Sequence, residues 1–454
     1  MPQTPVKNLL LKGLFFALVF SIPFGSYLFP IDLDVIVLSL FRISLFLSVP
    51  VLFFTGNLKL YSGTFTKIHF YLMAGWVLYA SVTYFWAIDA QYFIKELFYL
   101  FSGALIFVVF HSYYHCLKNP IKTFFTAWFT GFFSQFLLSL WEMNTGNHLY
   151  GNFYHFLKTL SPNHFVNWVP VSTFNNPNNF SIYLVLSSIF FFITRKVRPE
   201  YKDLFMGLIA YCFLAIYLGS SRLGVIAILT TYFLYLLLNN TAETIKKFAS
   251  PKLWVLIAIS TATFFYILNT DYTSIMAESQ IKETGIKNTP APTKPTSGMN
   301  STEVRKNLII NGLHYFADSK LIGIGAGGFE PYTQSGMGKK DTGGMINPHN
   351  WTIQVLANYG LIVFVPLYGF YFILIAYFMR HRKTFLLGSQ SHFYVSGGIM
   401  LFVVYAITSN SDSSFINNNL NWTTLTILTL IGDQIELKSS KSILPAFLNN
   451  QLKK

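Results

Sequence analysis

Apolar residues in this chain gather into long runs. A helix needs about 20 such residues to cross a hydrocarbon core of about 30 Å. Twelve segments approach that length: 9 to 29, 31 to 54, 68 to 88, 91 to 111, 121 to 141, 179 to 194, 203 to 219, 222 to 238, 252 to 269, 350 to 379, 391 to 409 and 417 to 434. The sixth and seventh are short. Segment one is too long for the core of a cleavable signal and is followed at once by another apolar run, so it reads as a retained helix.

The pattern changes after segment nine. "ETGIKNTPAPTKPTSGMNST", from Glu283, is rich in Pro, Thr and Gly and reads as a flexible lid or linker. Beyond it, Ser301 or Thr302 can cap a helix with Glu303 in its first turn. Val304, Leu308, Ile309, Leu313 and Phe316 recur at helical spacing, which predicts an amphipathic helix near 303 to 317 with Arg305, Lys306 and His314 on its polar side. Only helices and closed barrels satisfy the backbone in hydrocarbon, and these runs are too long and apolar for barrel strands. The expected fold is therefore an all-α integral membrane protein with about 12 transmembrane helices and a large outer loop containing short amphipathic helices. Residues 1 to 269 hold spans one to nine, 270 to 348 the outer loop, and 349 to 454 the last three spans with a cytoplasmic tail.

Composition agrees. Of 454 residues 53% are hydrophobic and 18% aromatic, and only 11% are charged, against about a quarter in soluble domains. The net charge of +14 invites a nucleic-acid reading, but its distribution opposes one. With the N-terminus cytoplasmic, 20 of the 32 Lys and Arg fall in short inner loops and tails, as the positive-inside bias requires. Both termini are then cytoplasmic, and two long segments, 142 to 178 and 270 to 348, lie outside. Cys116 and Cys212 suggest no disulfide.

Chemistry-bearing residues cluster on that outer side. Arg222, in "SSRLG", stands at the mouth of segment eight, either snorkelling to head groups or clamping an anion. "STFNNPNNFSIYL", from Ser172, opens segment six with a turn whose simplest role is capping. "GIGAGGF", from Gly323, is a glycine-rich turn; its functional alternative is close approach of backbone amides to a phosphate. His349, in "MINPHNWTIQVLANYGLIVFV", stands at the threshold of segment ten, as an interfacial histidine or as a base. Arginine holds phosphate through a planar fork of donors, and histidine can take a proton from an attacking hydroxyl. Two arginines and a histidine suit displacement of diphosphate from a lipid-linked sugar. Turnover should then fall on acidification through about pH 6.5. Glu142, Glu303 and Asp412 are the substitute bases if it does not.

At these residues the chain resembles the O-antigen ligase and polysaccharide polymerase superfamily of bacterial membrane glycosyltransferases. The matching elements are "FNNPNNFSIYL", "SSRLG", Arg305, "GIGAGGF" and "HNWTIQVLANYG". "WEMNTGNHLY", from Trp141, resembles a segment of teichuronic-acid-type polymerases in the group. The resemblance spans about Trp141 to Phe378. It implies a C-type glycosyltransferase-like fold in the bacterial cytoplasmic membrane and transfer of glycan from undecaprenyl diphosphate at the outer face, without metal or cofactor. Arg222 and Arg305 would contact the diphosphate and His349 would activate the acceptor hydroxyl. Asn175, Asn178, Ser221, Gly325, Gly327 and Asn350 would bind substrate. The acceptor would be the end sugar of another lipid-linked repeat, for a polymerase, or the lipid A core, for a ligase; flippase and chain-length proteins are the implied partners. Ligases carry a motif matched by His349, Asn350 and Gly360 but not by Val363, which tilts the reading toward polymerase. Outside the class, a transporter of lipid-linked oligosaccharide would draw on Arg42, inside segment two, although that arginine can equally pair within the bundle. A structural scaffold would not need the three residues to converge.

Overall fold

The computed structural model describes residues 5–25, 27–33, 36–60, 63–149, 168–174, 176–239, 301–387, 389–410 and 416–451. The predicted span near 252 to 269, most of the lid or linker, Asn175 and Asp412 lie outside the described residues.

The protein is helical. Its helices are α1 (Pro5–Phe20), α2 (Leu40–Phe54), α3 (Thr64–Val82), α4 (Ala90–Cys116), α5 (Pro120–Thr145), α6 (Pro177–Val197), α7 (Lys202–Leu218), α8 (Arg222–Asn239), α9 (Ser301–Asp318), α10 (Phe329–Gln334), α11 (Trp351–His381), α12 (Gln390–Thr408) and α13 (Asn419–Gln451). Every described apolar segment contains a helix. Among the described residues eight helices are long and apolar enough to cross a membrane by length and composition, and α2 is a shorter apolar helix. This is a multi-pass membrane protein. Cys116 and Cys212 are both free thiols.

One segment departs from expectation. The predicted span 31 to 54 is helical only from Leu40: before α2 begins, β1 (Ile31–Leu33) pairs antiparallel with β2 (Ile36–Leu38). Asp alternating with aliphatic residues in "IDLDVIV" favours a strand period of two, which a count of apolar residues alone overlooks.

Polar caps set the helix starts. Asp89 accepts hydrogen bonds from the amides of Gln91 (2.8 Å) and Tyr92 (3.0 Å) at α4. Asn176 accepts from Asn178 N at α6 (2.8 Å), and Asn350 from Ile353 N at α11 (3.0 Å). Each satisfies an amide that the first turn leaves without a partner. Within the bundle α6 packs on α7, α8 and α12, α1 on α2 and α5, and α13 on α3, α4 and α12.

α11 is broken. Gly360 adopts φ 61° and ψ −160° inside it, a region open essentially to glycine alone. The carbonyls of Ala357 and Asn358 are thereby released to accept from the amides of Ile324 and Gly325 (both 2.9 Å), and Leu321 O accepts from Leu361 N (3.0 Å). The glycine-rich loop is stitched into the gap, so the first turns of α11 form a short helix aimed separately from the rest.

Candidate active site

The candidate residues stand at the starts of α8, α9 and α11, near enough for their charges to act on one another. α9 lies on the first half of α11, burying Val304, Leu308, Asn311 and Tyr315. This face is rotated from the expected one: Leu313 is 46% exposed. Close approach explains the rotation, since Gly312 lies so near Ile353 and Phe329 that a Cβ there would collide with both. Asn311 clamps the following loop, donating to Lys340 O and accepting from Lys340 N, both at 2.9 Å. The rotation also leaves Arg305 half-buried at the junction.

Electrostatics shows which residues are brought together. Burial pushes the pKa of Arg305 down, and the charge of Arg222 lowers it further. Burial likewise pushes the His349 imidazole down to about 4, with the charge of Arg305 adding to the effect. Arg222, Arg305 and His349 therefore form one chain of mutual influence across three helix starts. Crowding two partly desolvated cations beside an imidazole disfavours further positive charge and favours an anion. The depression also moves the expected titration of His349 from about 6.5, its value in model peptides, to about 4.

The backbone holds His349 tightly. Asn347 Oδ1 accepts from His349 N (3.0 Å), and Asn347 Nδ2 donates to Glu330 Oε1 (2.8 Å). His349 itself has φ 48°, a left-handed conformation costing about 1–3 kcal/mol in a non-glycine residue and typical of functional sites. Ser220, just before α8, is similar at φ 50°.

The remaining candidate residues act mainly on the scaffold. Ser221 Oγ donates to Asn178 Oδ1 (2.8 Å) and accepts from Gly224 N (3.2 Å), tying the starts of α6 and α8. Asn350 caps α11 and donates to Asn410 Oδ1 (3.1 Å). For Gly325 and Gly327 a correction is needed. In the loop, the amide of Gly323 donates to Ser319 Oγ, that of Ala326 to Thr83 Oγ1 and that of Phe329 to Asn358 Oδ1. Gly325 N is engaged by Asn358 O and Gly327 N by the Glu96 carboxylate. These amides stabilise the broken helix, and a phosphate would find neither glycine's N–H available.

Two carboxylates also change standing. Glu142 is wholly buried and accepts from His148 Nδ1 (3.0 Å), Val171 N (2.9 Å) and Ser172 N (2.7 Å). It fastens the chain after α5 and is not placed to serve as a base, whereas Glu303 is exposed at the first turn of α9. Sequence reasoning passes over Glu96, in α4, which accepts from Tyr359 OH (2.5 Å), Asn358 Nδ2 (2.9 Å) and Gln354 Nε2 (3.4 Å). The signal for it is a charge inside an apolar segment.

Arg42 is accounted for within the bundle. It donates to Val37 O and to Asn417 Oδ1 (2.9 Å), and its guanidinium lies 4.6 Å from the centre of the Tyr99 ring.

Residues 207–368 match a family model described as O-antigen ligase, a span that contains Arg222, Arg305 and His349. The chain is also similar to the teichuronic acid biosynthesis protein TuaE of Bacillus subtilis (strain 168), with 25% identity over 360 residues, covering 77% of this chain and 68% of that protein. The resemblance carried by the motifs is thus matched over part of its length: residues 207–368 of this multi-pass membrane protein are similar to the O-antigen ligase family.

Proposed function

We propose that this protein is a membrane glycosyltransferase of surface-polysaccharide synthesis. It moves glycan from undecaprenyl diphosphate to a sugar hydroxyl at the outer face of the cytoplasmic membrane. The observation that supports the reading is that the charge of Arg222 acts on Arg305 and that of Arg305 on His349, although the three come from segments far apart in the chain. The guanidinium groups hold the diphosphate, and His349 Nε2 or Nδ1 takes the proton of the acceptor hydroxyl. The hydroxyl oxygen bonds to the anomeric carbon as that carbon's bond to the diphosphate oxygen breaks. Negative charge grows on the departing diphosphate, where the arginines are already placed. In this scheme they supply the positive charge that a metal cation would otherwise bring.

A low imidazole pKa fits the base role because the proton-accepting form is then fully present at neutral pH. Polymerisation, with a second lipid-linked repeat as acceptor, is the favoured form, and the similarity to a teichuronic acid biosynthesis protein supports it. Transfer to a lipid A core is the second reading, supported by the description of the matching family. Val363, the departure from the ligase motif, is only 6% exposed in α11, so it acts through packing if it separates the two. Flippase and chain-length proteins are the partners this reading implies. The transporter reading loses its chief support because Arg42 is engaged by its neighbours.

The test uses the purified full chain in lipid nanodiscs with lipid-linked glycan from cells lacking it. Elongated product with the parent chain and none with Arg222→Ala or His349→Ala is the expected result. Equal product from all three would end the proposal.

A further inference from the structure

Beside the His349 turn lies an open cavity that the diphosphate chemistry does not use. Tyr92, Lys95 and Glu96 of α4, Glu330 of α10, Asn347, Gln354 of α11 and Asn417 are among the residues that line it. All come from the starts of α4, α10 and α11 and the approach to α13, the same end of the bundle as His349. Asn347 joins the two places, since one end of its amide holds His349 N and the other Glu330. Tyr92, Glu330 and Gln354 are partly exposed to the cavity. The opposite wall is stiffened, because Arg42 holds Asn417 Oδ1 and covers Tyr99.

This lining has a definite chemistry. Carboxylate and amide oxygens accept from hydroxyls, amide nitrogens donate to them, and an aromatic ring offers an apolar face with a polar edge. Such a wall disfavours a diphosphate, since its two carboxylates outnumber its one ammonium, that of the exposed Lys95, and it disfavours a lipid chain, which needs an apolar surface. It suits a neutral sugar ring, whose hydroxyls meet a few convergent polar groups in a concave site.

We propose that this cavity binds a sugar at the end of the acceptor glycan and presents its hydroxyl to His349. The assignment rests on the transferase reading above and divides the site in two. Arg222 and Arg305 hold the leaving diphosphate on one side of His349, and the α4–α10 cavity holds the acceptor on the other.

Saturation-transfer NMR on the full chain in nanodiscs tests it, with short oligosaccharides cut from the cell's own surface polysaccharide as the probe. The parent chain and Arg305→Ala are expected to bind the probe alike. Tyr92→Ala and Gln354→Ala should each weaken it roughly tenfold, the loss of about one good hydrogen bond or ring contact. Neither side chain lies in the hydrophobic core, and thermal melting checks that both variants stay folded. Probe binding unchanged in both, or lost equally in Arg305→Ala, overturns the assignment. Because binding is read without turnover, a parent chain that binds through Tyr92 and Gln354 yet transfers nothing supports the sugar cavity and sinks the transferase reading. The reverse pattern, transfer intact with cavity variants binding normally, sinks the cavity alone.

Discussion

Arg305 stands within electrostatic reach of His349, and together with burial it holds that imidazole at about 4. The relationship joins the first turn of an amphipathic helix to the threshold of a membrane helix more than forty residues further on. It makes the two side chains separable by experiment. His349→Ala should lower kcat by about 10²–10⁴-fold, the usual contribution of a positioned base. Arg305→Ala should lower it by roughly 10²–10³-fold, as loss of one preorganised charge-stabilising group does. Single-turnover assays with lipid-linked donor measure both, and losses below about fivefold would remove these residues from the chemistry.

The acidic limb of the pH profile should lie near 4 rather than near 6.5. The sign follows from the shift: a depressed pKa keeps the base neutral as pH falls, so activity persists until protons compete at about pH 4. Bound diphosphate is anionic and raises the limb somewhat. Arg305→Gln removes a cation and should move residual activity upward in pH, toward the model-peptide value of about 6.5. A limb that stayed in place in that variant would mean burial alone controls His349.

Gly360→Ala should destabilise the protein by about 1–3 kcal/mol or more. Its φ of 61° and ψ of −160° are barred to alanine, and an added Cβ would meet the backbone of Leu321 and Ile322. Thermal melting in detergent should register the loss. A variant as stable as the parent would show that the break in α11 is not needed.

Glu142→Ala should reduce stability, leaving the buried amides of Val171 and Ser172 without an acceptor at about 1–3 kcal/mol each. In Glu142→Gln, which keeps one acceptor oxygen, folded protein should retain its turnover and its pH profile. A shifted profile with normal melting would restore Glu142 as a candidate base.

Sidedness is open to direct labelling. In a chain whose two native cysteines are replaced, Thr302→Cys, exposed at the start of α9, should react with an impermeant maleimide on intact cells. A Lys383→Cys variant, after α11, should react only once the membrane is opened. The reverse pattern would place Arg305 in the cytosol and end the proposed chemistry.

Much of this protein is written locally. Runs of about 20 apolar residues dictate helices in hydrocarbon because the backbone has no other way to satisfy itself there, and helices stand at the described runs of the sequence. Arg222 and His349 are legible for a similar reason, since charged or titratable groups bordering membrane segments are costly and demand a purpose, whereas Arg305 is picked out by its place on the polar side of an amphipathic outer helix and by the family resemblance. Tertiary structure decides what local pattern leaves open. The face that α9 buries is set by where Gly312 permits contact with α11, which the spacing of Leu313 and Phe316 does not reveal. The glycine-rich turn becomes a splint because Gly360 breaks α11 and frees carbonyls that no local rule assigns to it. Glu96, Asn347 and Asn417 become walls of one cavity only when helices distant in sequence come to lie side by side. Hydrophobicity and charge act at each residue alone, whereas shape and hydrogen-bond completion belong to pairs that only the folded chain can choose.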